Sequence, residues 1–132
     1  MIEEDYVSFE TAKLLKEKGF DVPYDSFRGV YINGNFLRRN PGQGYLHNMD
    51  DEIIDVCSIQ MAMKWLRKKY NLVISISITM DGWCSCVSRI KLDNEGFVVE
   101  IIHGIDEGNI PNYDTYEKAC KGAIKYCLEN LI

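Results

Sequence analysis

Leu72-Val-Ile-Ser-Ile-Ser-Ile-Thr-Met80, then Asp81-Gly82, then Trp83-Cys-Ser-Cys-Val-Ser-Arg-Ile-Lys-Leu92, is the stretch that decides the fold. Ile74, Ile76, Ile78 and Met80 alternate with Ser75, Ser77 and Thr79, a period of two that separates apolar from polar side chains only in a strand. Asp81-Gly82 reads as a two-residue hairpin turn. In the returning strand Cys84, Cys86, Ser88, Ile90 and Leu92 alternate with Trp83, Ser85, Val87, Arg89 and Lys91. A turn at Asp93-Asn-Glu-Gly96 leads to a third strand, Phe97 to His103.

Helical grammar flanks these strands. Before them, Ser58 stands where an N-cap is needed, and Ile59, Ala62, Met63, Leu66 and Tyr70 form one stripe that stops at Asn71. After them, Asp114 with Glu117 three residues on has the form of a capping box. The helix that follows buries Tyr116, Ala119, Cys120, Ala123, Cys127 and Leu131, with Ile124 and Leu128 at the edge of the stripe. Residues 58–132 therefore read as helix-β-β-β-helix: a two-layer α+β core in which two long helices cover one face of a three-stranded antiparallel sheet. Trp83, Val87, Val98 and Ile102 are expected on the opposite face beside Ser75, Ser77 and Thr79, a mixture apolar enough to need a cover.

Upstream, Ser8 to Gly19 reads as a short helix with Ser8 as cap, Gly19 as left-handed exit, and Phe9, Ala12 and Leu15 inward. Val30-Tyr-Ile32 and Phe36-Leu37, joined through Asn33-Gly34-Asn35, predict a small β-hairpin. Residues 41–57, with Pro41, Gly42, Gly44 and the acids from Asp50 to Glu52, read as a loop or linker inside a single domain of 132 residues.

The composition, 46% hydrophobic and 27% charged, is that of an ordinary globular chain, and no apolar run approaches the roughly 20 residues of a membrane span. Five cysteines, an odd number, without a charged-then-apolar N-terminal leader point to a reduced cytoplasmic protein. The net charge of −5 disfavours general nucleic-acid binding. That charge is unevenly spread, at −5 over residues 1–57, +5 over 58–92, −6 over 93–114 and +1 over 115–132. Lys64, Arg67 and Lys68 on one long helix and Lys118, Lys121 and Lys125 on the other are candidates for a basic stripe.

Catalytic and metal patterns are weak. Cys84, Cys86 and His103 could be drawn as a thiolate-imidazole site, but two thiols on one strand face without a second pair fit core packing better. His47 near Asp50, Asp51, Glu52 and Asp55 lacks ordered calcium-loop spacing. Gly42-Gln-Gly44 is neither a dinucleotide fingerprint nor a P-loop. No cofactor and no catalytic residue is assigned.

The helix-strand-strand-strand-helix order is also that of double-stranded RNA-binding domains, and Lys118-Ala-Cys-Lys-Gly-Ala123 is loosely similar to their basic second-helix start. The two-residue turn at Asp81-Gly82 is shorter than the groove-reaching loop those domains use. Three stretches, Asp5 to Phe20, Gln60 to Arg67 and Thr115 to Ala119 continuing through Ala123 to Ile132, resemble short uncharacterised proteins encoded by phages and prophages of gut bacteria. That resemblance implies a bacterial host cell as the setting and carries no catalytic residue with it. The expectation is a non-enzymatic interaction module that self-associates or binds another protein, through Trp65, Trp83, Val87, Val98 and Ile102. A nucleic-acid-associated protein using the basic stripe, or a small enzyme or metal protein, is the alternative.

Overall fold

A computed structural model describes residues 5–22, 29–38, 48–103 and 112–132, with His103 described by its backbone alone. Among the described residues the fold is mixed α and β, with three helices and two three-stranded antiparallel sheets. The chain forms two compact units, Met1–Ser58 and Ile59–Ile132.

In the first unit, helix α1 (Phe9–Glu17) starts at Ser8, whose hydroxyl accepts from the Thr11 amide, and ends before Gly19 at φ +93°. Strands β1 (Gly29–Ile32) and β2 (Asn35–Arg38) meet through Asn33 and Gly34, both at positive φ, as the short Asn-Gly hairpin requires. The third strand, β3 (Ile53–Val56), pairs antiparallel with β1, giving the order β2-β1-β3. This corrects the expectation of a loop or linker over 41–57. Ile53, Ile54 and Val56 are β-branched, Ile54 and Val56 are buried, and only Asp55 between them is exposed. Residues 39–47 lie outside the described residues.

Helix α1 packs on β3. Phe9 meets Tyr31 edge-on at 5.5 Å between ring centroids, and Tyr31 also meets Phe36. The Tyr31 hydroxyl donates to the Val7 carbonyl, while the Val7 amide donates to the Cys57 carbonyl. Together these bonds fasten the residues before α1 onto the sheet. The Asn33 side chain closes the other end, accepting from the Glu52 amide and donating to Asp51, both at 2.9 Å.

In the second unit, helix α2 (Ile59–Tyr70) buries Ile59, Ala62, Met63 and Leu66 and stops at Asn71, φ 57°. Strands β4 (Leu72–Thr79), β5 (Gly82–Asp93) and β6 (Gly96–His103) form a meander in the order β4-β5-β6. The first turn is Met80-Asp81, with Thr79 paired to Gly82, one residue earlier than Asp81-Gly82. The Thr79 hydroxyl sets that turn, accepting from the Asp81 amide and donating to the Gly82 carbonyl.

Helix α3 (Tyr116–Asn130) is capped by Thr115, whose hydroxyl accepts from the Lys118 amide. Asp114, expected as the cap, instead receives the Lys118 ammonium at 2.9 Å. Ile124 and Leu128, expected at the edge of the buried stripe, are fully buried along with Ala119, Cys120, Ala123 and Cys127. Helix α2 packs on β4, α3 on β4 and β5, and the two helices touch each other.

Candidate interaction surface

The faces of the second sheet follow from its register. A two-residue turn pairs positions whose numbers differ by three, so even positions on β4 share a face with odd positions on β5. Ile74, Ile76 and Ile78 lie opposite Val87, Ser85 and Trp83, while Ser75 and Ser77 lie opposite Cys86 and Cys84. Trp83 and Val87 therefore do not stand beside Ser75, Ser77 and Thr79 as expected. They stand beside the isoleucines.

Contacts with α3 fall on this same face. Trp83 meets Tyr116 edge-on at 5.8 Å, and the Arg89 charge reaches Cys127. Val87 is fully buried. It is a core residue and cannot touch a partner from the folded protein.

The other face carries a continuous exposed apolar band on β5 and β6, whereas Ile78 and Val98 are exposed on the first face. Leu92 pairs with Phe97, Ile90 with Val99 and Ser88 with Ile101, which sets the β6 side chains beside those of β5 in a continuous band. Leu92 is 74% exposed, Phe97 76%, Val99 60% and Ile101 56%. An apolar patch of several large adjoining side chains is the usual mark of a contact surface. None of these four is among the expected interaction residues, although alternation together with the pairing rule for a two-residue turn would have located them.

The expected residues are not brought together. Val98 is exposed on the face of Arg89 and Lys91, and Ile102 is half-buried beside the register shift at Val87/Ser88. Trp65 is half-buried on α2, edge-on to Tyr70 with the Lys69 ammonium over both rings. The basic positions are exposed on α2 and largely so on α3, but two have carboxylate partners one helical turn away: Lys118 with Asp114, and Lys125 with Glu129 at 3.9 Å. The hydrogen bond from Lys118, with its charge, holds the Asp114 carboxyl below its ordinary value.

Four of the five cysteines are buried and Cys86 is half-buried. Burial pushes the Cys57 and Cys127 thiols up to about 12 and raises Cys120 as well, the opposite of what a nucleophile or metal ligand needs. Among the described residues no group of three or more His, Cys, Asp or Glu side chains is arranged to hold a metal ion. His47 and Gly42-Gln-Gly44 lie outside the described residues. At mildly alkaline pH one thiol, Cys86, is expected to react rapidly with a soluble disulfide reagent and all five in denaturant. Rapid reaction of two or more in the native protein would refute this assignment.

A cavity between α1 and β3, lined by Leu15, Phe20 and Cys57 with Lys16, Asp21 and Asp55, measures about 50 Å³. Substrate pockets are typically several hundred Å³, so this one suits water rather than an organic ligand. Among the described residues no helix is long and apolar enough to cross a membrane. No family model, curated protein or solved structure matches the chain.

Proposed function

We propose that the protein is a non-enzymatic interaction module that assembles with itself through the sheet of its second unit. In this reading α2 and α3 form one layer, β4-β5-β6 the other, and the face bearing Leu92, Phe97, Val99 and Ile101 is the contact surface. The observation that carries it is that continuous band on β5 and β6. Covering it removes apolar surface from water at roughly 25 cal/mol per Å², a gain a monomer forgoes. The raised thiols and the small cavity favour binding over catalysis. On the resemblance of its ends and central helix, the module belongs with short phage and prophage proteins working inside a bacterial host.

Light scattering at micromolar concentration tests the reading. A mass of two chains or more is expected, falling to one chain in Phe97→Glu while the circular-dichroism spectrum is preserved. A wild-type mass of one chain throughout that range would refute it.

A further inference from the structure

We infer that two copies of this chain join edge to edge through β6, antiparallel about a two-fold axis at Val99, so that two three-stranded sheets become one of six strands. The inference rests on the preceding reading that the chain assembles with itself through this sheet, and adds a contact along the sheet's edge that the reading of the face does not require.

Strand β6 lies at the end of the order β4-β5-β6, and among the described residues no backbone hydrogen bond from outside the sheet reaches it. Natural edge strands are usually guarded by lysine, proline or shortness. Gly96-Phe-Val-Val-Glu-Ile-Ile-His103 is eight residues long, holds neither lysine nor proline, and has Glu100 as its one acidic group. The opposite edge, β4, is better protected, since α2 packs on it and its serines alternate with Ile74 and Ile76, which are half-buried; of its isoleucines Ile78 is exposed.

Self-pairing about an axis perpendicular to the sheet keeps each side chain on its own face only when the axis passes through a residue position. Placed at Glu100, the axis would set two like charges opposite each other, which destabilises a pair. Placed at Val98, it would leave Ile101 without a partner in the strand. At Val99 it pairs Phe97 with the second copy's Ile101, Val99 with itself, and Val98 with Glu100. The charges then complement each other. Lys91 is the β5 neighbour of Val98 and lies 3.8 Å from Glu100 within one chain, so each Glu100 would gain a second lysine one strand beyond its new partner.

On one face this register sets Phe97, Val99 and Ile101 of one copy beside Ile101, Val99 and Phe97 of the other, so that each side chain is partly covered by its new cross-strand neighbour.

Disulfide trapping tests the register. Directly opposed residues in an antiparallel pair are about 4.5–5.5 Å apart at Cα, within disulfide range. Under diamide, which takes up the two electrons, Val99→Cys alone is expected to give a covalent dimer far in excess of wild type, which controls for Cys86. Phe97→Cys and Ile101→Cys are expected to link when mixed and not when each is alone. A two-chain mass by light scattering without these links would overturn the β6 pairing and leave the sheet face as the contact. Linking of Val99→Cys without the mixed pair would overturn the register, and a one-chain wild type would overturn both.

Discussion

Val87→Asp is expected to unfold the second unit, with loss of cooperative thermal and urea transitions. Val87 is fully buried on β5, opposite Ile74 on one side and the backbone of His103 on the other. A carboxylate there would be taken from water without a partner, or would be forced to stay protonated, at a cost of several kcal/mol. Deleting part of the valine volume adds to that loss. Since whole-domain stability is about 5–15 kcal/mol, the substitution consumes most or all of it. The same change at Val98, which is exposed within one chain, is expected to cost the fold of the single chain no more than about 1 kcal/mol, the scale of strand preference alone. Both valines are surface residues on the sequence reading, and urea melts of the two variants separate them. A Val87→Asp variant that unfolds cooperatively within about 1 kcal/mol of wild type would show that this face of the sheet is open.

How much was legible follows the same division. Features with a local cause are readable: the Ser8 cap, the Asn33-Gly34 hairpin, the stop at Asn71 and the three-stranded meander each depend on residues within a few positions of one another. Features that depend on what lies across the sheet are not. The alternation over Leu72 to Leu92 marks both strands, yet which set of β5 shares a face with the isoleucines depends on the parity imposed by the turn. Misreading that parity exchanges core and contact surface, so Trp83 and Val87 appear exposed while Leu92, Phe97, Val99 and Ile101 are overlooked. Strand β3 is hidden for another reason. Four residues with one aspartate carry too little periodicity to be distinguished from an acidic approach to α2, and only pairing with β1 makes a strand of them. The α3 cap fell one residue from its expected place because Asp114 and Thr115 can both accept an amide, and Lys118 takes up Asp114.

Gly82→Ala is expected to cost about 2–4 kcal/mol, and Gly96→Ala about half as much. The two glycines form a matched pair: both open a strand after a two-residue turn, both belong to the second unit, and their φ angles are +132° and +128°. Any L side chain at such an angle carries backbone strain of the order of 1–3 kcal/mol. They differ in what a new methyl group would meet. At Gly96 nothing lies within 4 Å, whereas at Gly82 the Tyr113 carbonyl oxygen would lie 2.7 Å away. That oxygen is backbone and already accepts from the Trp83 amide at 2.8 Å, while the Tyr113 amide donates back to Trp83 at the same distance. The Tyr113 ring is held in turn over Gly122 of α3, where a Cβ would collide with the phenol. Relief at Gly82 therefore requires breaking the bridge that ties β5 to the start of α3, and overpacking of this kind adds about 1–3 kcal/mol to the strain. Urea unfolding of the two alanine variants measures the difference directly. Equal losses would mean that Tyr113 yields without cost, and the bridge to Trp83 would then contribute nothing to holding α3 against the sheet.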